Sequence, residues 1–318
     1  MNNYYVDKAT RIGTSHEKRG LVNEDRAVIY QSGTRIWMGV FDGVSQGGGG
    51  SMASIIASEC METILSAHSD DDIHHIGFSI MKCAQKNILR ASAEHSEYGK
   101  MQTTGVIACI ECYDRSLTWF SIGDSAIFVC PNRKKPVKLT TEDTDIGELL
   151  AQGKITKRDA SKATVGHELN RWLGMGVDPA SIGCYVRTGT IKLRSDDLIL
   201  VCSDGLYSKI TPKTLGRLIC KNYNPERLVK AAKDSGSQDD ITVIVAKPHT
   251  RKRLCRIPPG LLLASAVFLF TCGFLCGALL SRTMKRNEPF PRPTIQESVP
   301  ATGPVDTLTF KTKENEAV

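Results

Sequence analysis

Outside one short segment, the chain has no surplus of charge of either sign. Eight of its 41 Lys and Arg residues lie between positions 247 and 286, where no acid stands, and the remaining 33 face 34 Asp and Glu. The formal charge of +7 is therefore local. That excludes a general polyanion-binding surface, and no nucleic-acid partner is expected. A disulfide framework is also lacking. The 11 cysteines are odd in number and scattered, and Cys109, Cys130, Cys202 and Cys220 sit in apolar runs, where a free thiol behaves as a small hydrophobe. Cys109 and Cys112 have C-x-x-C spacing, but in a strand-like run they would face opposite sides. No second Cys/His pair completes a zinc set, so reduced thiols in a reducing compartment are expected. Residues 1–13 carry no apolar stretch of the secretory kind. No Gly-Lys-Ser/Thr follows the glycines Gly47 to Gly50, which excludes a P-loop kinase or ATPase. No internal repeat is evident.

What is present is a set of acids at the ends of apolar runs. Trp37-Met38-Gly39-Val40-Phe41 stops at Asp42-Gly43, and Leu198-Ile199-Leu200-Val201-Cys202-Ser203 stops at Asp204-Gly205. Asp239-Asp240 opens Ile241-Thr242-Val243-Ile244-Val245, and Glu24-Asp25 precedes Ala27-Val28-Ile29-Tyr30. An apolar run ending in Asp-Gly reads as a buried strand delivering a carboxylate to a loop. One such pair is an ordinary turn signal; four, widely spaced, make sense if the strands converge. Carboxylates without His or Cys partners favour Mg²⁺ or Mn²⁺ over zinc. Such ions make a nucleophile of water and, as a pair, clamp an in-line phosphoryl transfer. The glycine after Asp42 lets backbone approach, and its carbonyl can itself be a ligand.

Hydrophobic content of 41% and charged content of 24% over 318 residues are those of a globular protein. Two or three strands are expected in 1–45, with a polar loop at 14–23. Two helices follow. One carries Met52, Ile55, Ile56, Cys60, Ile64 and Leu65 at helical spacing, and the other spans 73–93. Strands are expected at 103–112, 117–130 and 186–193, then short helices near 212–220 and 225–233 and a closing strand to about 248. Strands interrupted by paired helices indicate an α+β layered sandwich.

Six of these stretches resemble, in order, the type 2C metal-dependent (PPM family) Ser/Thr protein phosphatases, in a divergent bacterial-type subgroup. They are Asn23-Glu24-Asp25-Arg26, Val40-Phe41-Asp42-Gly43-Val44, Thr103-Thr104-Gly105, Ile122-Gly123-Asp124-Ser125, Cys202-Ser203-Asp204-Gly205-Leu206 and Gln238-Asp239-Asp240-Ile241-Thr242-Val243. The resemblance covers about 10–246 and implies an αββα four-layer sandwich. It also implies direct attack of a metal-bridging water on phosphoserine or phosphothreonine proteins. Asp25, Asp42, Asp204 and Asp239, with the Gly43 carbonyl, match the ligands of two Mn²⁺ or Mg²⁺ ions, with Asp42 between them. Asp124 matches the position linked to a weaker third ion. Asp240 stands where the family usually has Asn and is not counted a ligand. Gly20 stands where the family carries a phosphate-gripping Arg, so Arg19, and next His16, are taken for that role. The stretch 140–174 resembles the flap beside the cleft. A Ser/Thr kinase acting on the same targets is the implied opposing partner. The alternative is an inactive phosphatase-like scaffold that binds phosphoproteins or a membrane partner.

Residues 261–280 carry no charge and are long enough to span a bilayer. Basic clusters flank them, Arg251, Lys252, Arg253 and Arg256 before and Arg282, Lys285 and Arg286 after. The expected organisation is a catalytic domain over 1–248, a basic juxtamembrane linker over 249–256, a single transmembrane helix over 257–281 and a flexible tail over 282–318. The expected location is that of a single-pass protein of a bacterial inner membrane, with the catalytic domain cytoplasmic.

Overall fold

A computed structural model describes residues 4–44, 49–131, 134–160, 162–221 and 223–249. In chain order these form β1 (Tyr4–Arg11), α1 (Thr14–Arg19), β2 (Arg26–Ser32), β3 (Arg35–Phe41), α2 (Gly49–His68), α3 (Ile73–Glu94), β4 (Gly105–Glu111), β5 (Ser116–Ile122) and β6 (Ala126–Cys130). Then come β7 (Val137–Lys138), α4 (Asp145–Ala151), α5 (Lys157–Ala160), β8 (Arg187–Lys192), β9 (Leu198–Cys202), α6 (Asp204–Tyr207), α7 (Pro212–Lys221), α8 (Pro225–Asp234) and β10 (Ile241–Pro248). One sheet has the order β1-β10-β9-β6-β7 and the other β2-β3-β4-β5-β8.

Three apolar layers hold four layers of structure together. Ile36, Met38, Val40, Ile127, Val201 and Ile244 meet between the two sheets. Trp37, Phe41 and Phe120 turn the opposite way, onto Met61, Ile76 and Ile80 of α2 and α3. This is strand alternation feeding two cores at once, because successive side chains of β3 point to opposite faces. On the far side, Leu200, Val243 and Val245 pack under Leu215, Leu228 and Val229 of α7 and α8. The result is the αββα sandwich expected from the sequence. Asp72 caps α3 by accepting from the His75 N–H at 2.9 Å. Gly77 lets α3 sit flush on β5, since a Cβ there would fall 2.2 Å from the Phe120 ring.

Two expectations change. The apolar run 117–130 is not one strand: it breaks at Gly123, whose φ of 97° only glycine adopts readily, and β5 and β6 enter different sheets. The loop expected at 14–23 contains α1, closed by Gly20 in the left-handed region at φ 66°.

The membrane assignment also needs correction. No helix among the described residues is long and apolar enough to cross a membrane. The segment assigned as a transmembrane helix, 257–281, lies outside the described residues. The described fold therefore contains no trailing membrane helix and does not support the expected single-pass inner-membrane location.

Candidate active site

Strand register gathers the acids. Arg26 pairs with Phe41, so Asp25, just before β2, and Asp42, just after β3, emerge side by side. In the other sheet Cys202 pairs with Val243 and with Ala126. That sets Asp239 before β10, Asp204 after β9 and Asp124 before β6 at one common end. The hydrogen bonds that join the sheets there include two that involve the acids. The Ser203 hydroxyl donates to Asp25 Oδ2 at 2.8 Å, and the Glu24 N–H donates to Asp240 Oδ2 at 2.7 Å.

Arg19, Asp42, Gly43, Asp124, Asp204 and Asp239 border a cleft of about 530 Å³, and Asp25 is buried behind it. The Asp42 loop is held from the backbone. Thr104 N–H and Thr103 Oγ1 each donate to the Asp42 carbonyl at 2.8 Å, and the Asp42 N–H donates to Thr104 Oγ1 at 3.2 Å. Gly43 has no room for a side chain, since a Cβ would lie 2.4 Å from the Gly50 carbonyl oxygen and 2.8 Å from that of Glu24.

Packing these carboxylates together is electrostatically unfavourable. Burial, with Asp240 and Asp239 adding to it, pushes the Asp25 carboxyl up to about 7, against the hydrogen bonds from Thr242 and Ser203. Burial and Glu142 raise Asp124 to about 6. Asp42 and Asp204 are raised well above the carboxylate range, by burial first and by their acidic neighbours second. Asp239 is raised by burial and by Asp240. Asp25 Oδ1 and Asp204 Oδ1 are buried without a hydrogen-bond partner. Orphaned carboxylate oxygens in an all-oxygen donor set suit a hard divalent cation. Among the described residues, however, no three His, Cys, Asp or Glu side chains already stand at the spacing that would hold a metal ion. The acids nonetheless share one cleft.

Both residues assigned to the phosphate line the cleft, but they are held differently. Arg19 borders the cleft, with its Nε donating to the Ser15 carbonyl at 3.2 Å. His16 is buried, its Nδ1 2.9 Å from Asp240 Oδ2 and its Nε2 3.9 Å from Glu24 Oε2. Gly20 is the left-handed cap of α1, where its N–H donates to Glu17 and that of Leu21 to His16. An arginine at that position would be strained, which is a physical reason for its displacement. Sequence reasoning missed the structural importance of Asp240, which accepts from Gly13 N–H at 2.6 Å as well as from Glu24 and His16. It also missed Asp143, fully buried. One oxygen of Asp143 lies 3.0 Å from Arg171 Nη1 and 2.8 Å from Arg187 Nε, and the other accepts from Gly123 N–H. The segment 140–174 reaches the cleft through Leu169, and Leu173 and Thr103 exchange backbone hydrogen bonds at 2.9 and 3.2 Å.

The sandwich is that of bacterial Ser/Thr phosphatases. The serine/threonine phosphatase of Staphylococcus aureus superposes with a TM-score of 0.68 at 22% identity, over 78% of this chain and 97% of that one. The PPM Ser-Thr phosphatase of Mycobacterium smegmatis, in complex with cacodylate, gives 0.61 at 23% identity over 78% and 100%. The catalytic domain of the phosphatase PstP, in complex with two manganese ions, gives 0.60 at 21% identity over 77% and 97%. No curated protein matches the chain. The protein phosphatase 2C family profile matches residues 12–235, most of the chain. The chain therefore belongs to the protein phosphatase 2C family, and its enzymatic class is that of the protein-serine/threonine phosphatases.

Proposed function

We propose that the protein hydrolyses phosphoserine and phosphothreonine in proteins at the acid cleft, with Mn²⁺ or Mg²⁺ held by Asp25, Asp42, Asp204, Asp239 and the Gly43 carbonyl. Asp124 would serve a weaker third ion. The observation that carries this reading is the buried, unpartnered oxygen on both Asp25 and Asp204, one from each sheet. A buried carboxylate without a counter-charge is costly to keep. The metal-bound relative PstP supports two manganese ions as the complement. Divalent ions there would supply the Lewis acidity that neutralises a phosphate and activates water.

The chain's own residues do the remainder. Arg19 and Lys209 border the same cleft and give a phosphate dianion two cationic neighbours. The Thr103 and Thr104 hydrogen bonds hold the Asp42 loop so that its carboxylate faces the cleft. Leu169 offers an apolar contact beside the phosphorylated residue. A Ser/Thr kinase acting on the same phosphoproteins is the opposing partner this reading implies.

The test is hydrolysis of a phosphothreonine peptide by the full chain with Mn²⁺, with chelator, and as Asp42→Asn. Turnover with Mn²⁺ that falls by roughly 10²–10³-fold or more in the variant supports the assignment. Tight Mn²⁺ binding without turnover would overturn it in favour of a phosphoprotein-binding scaffold.

A further inference from the structure

On the outer helix pair, a couple of thiols lies between α2 and α3. The Cys60 and Cys83 sulfurs are 2.9 Å apart, and Asn87 Nδ2 donates to Cys60 Sγ at 3.2 Å. Cys60 is buried and Cys83 half-buried. Both border a cleft of about 260 Å³ that Glu59, Asn87 and Arg90 also line, so a small solute reaches the pair from one side. Lys86 and Arg90 follow Cys83 by three and seven residues, placing two cations along its face of α3.

We propose that Cys60 and Cys83 are a peroxide-responsive dithiol site, oxidised reversibly to a disulfide that staples α2 to α3. The sulfurs are already in contact at 2.9 Å, so forming the bond asks them to close to about 2.0 Å. The two thiols are unequal. Cys83 is half-buried with Lys86 and Arg90 along its face of α3, which favours its thiolate, whereas Cys60 is buried, which disfavours a charge on its sulfur. Cys83 is thus the attacking thiolate and Cys60 the resolving thiol.

The chemistry balances. The Cys83 thiolate attacks one oxygen of hydrogen peroxide, the O–O bond breaks, and hydroxide leaves to become water. Cys83 is then a sulfenic acid. The Cys60 thiol loses its proton as its sulfur attacks the Cys83 sulfur, and the S–O bond breaks to release a second water. Two thiols have given up two electrons and two protons, and one peroxide has become two waters. A transient disulfide of this kind is compatible with a reducing compartment. The helix it clamps is the one whose first turn abuts Gly43.

The experiment treats the full chain with hydrogen peroxide and maps cross-linked peptides by mass spectrometry without reduction. The expected result is a Cys60–Cys83 cross-link, removed by dithiothreitol, with Tm raised on the order of 5 °C in the oxidised form. Cys60→Ser should leave Cys83 as a sulfenic acid that dimedone traps. Cys83→Ser should leave Cys60 no more reactive than buried Cys109. A chain in which both sulfurs stay alkylatable after peroxide overturns the proposal. So does one in which Cys83 passes to sulfinic acid without a cross-link.

Discussion

Asp25→Asn replaces a buried carboxylate with an amide of the same shape, and its effect on stability has an unusual sign. In the metal-free chain the Asp25 carboxyl titrates near 7, against an ordinary value of 3.8. A raised folded value means the contribution to stability is complete below 3.8 and is lost as pH rises through 7. By pH 8 the loss is on the order of 4 kcal/mol. The amide does not titrate and does not repel Asp42, Asp204 or Asp239. In chelator at pH 8 the variant should therefore melt above the parent, by roughly 10 °C. The gap should narrow steadily as pH falls to 5. Mn²⁺ should work the other way, adding about 2.7 kcal/mol to the parent at a hundredfold excess over Kd and much less to the variant. Thermal unfolding by circular dichroism, across pH 5–8 with Mn²⁺ or chelator, reads both effects. A variant that melts below the parent in chelator, by the same margin at pH 5 and pH 8, would refute the reasoning. Asp25 would then be an ordinary acceptor for Ser203 and Thr242, not part of an uncompensated acid cluster.

The other predictions concern single residues. Arg19→Ala should raise KM for a phosphothreonine peptide about tenfold, the scale of one lost charge-assisted hydrogen bond. His16→Ala should instead lower stability by about 1–3 kcal/mol in urea unfolding by stripping a donor from buried Asp240. Gly77→Ala drives a methyl into the Phe120 ring and should cost about 1–3 kcal/mol in the same assay. Asp143→Ala leaves Arg171 and Arg187 without their shared buried acid, though Glu148 still pairs with both, and should cost about 1–3 kcal/mol.

The layered sandwich was legible because its strands and helices carry strong periodicity, as in α3, which spans the range its apolar stripe predicts. Asp25, Asp42, Asp204 and Asp239 were legible because each ends or opens an apolar run, and register does the rest; Asp124, inside the run 117–130, was named only through the family resemblance. What pattern could not supply was backbone conformation at single glycines. Nothing in the apolar run 117–130 distinguishes a continuous strand from two strands in different sheets, yet Gly123 at φ 97° makes that division and turns Asp124 toward the cleft. Gly20 is similar. As a missing arginine it reads as a defect in the phosphate site, whereas as a left-handed cap it is what ends α1 and leaves Arg19 at the cleft edge.

The two remaining departures from the family pattern, His16 and Asp240, are linked by hydrogen-bond chemistry. Asp240 Oδ1 accepts from Gly13 N–H, and Oδ2 accepts from Glu24 N–H and faces His16 Nδ1. Two of the three partners are backbone donors that cannot change role, and they occupy different oxygens. An asparagine at 240 would turn its NH₂ toward one of those N–H groups, leaving a donor facing a donor in a buried site. A carboxylate satisfies both, and its remaining lone pair on Oδ2 is met by an N–H on His16 Nδ1. Asp240 therefore calls for a third donor, and His16 is the side chain that provides it. The histidine of α1 is better explained as the partner of this aspartate than as a substitute for an arginine. Its removal should move stability before it moves substrate affinity.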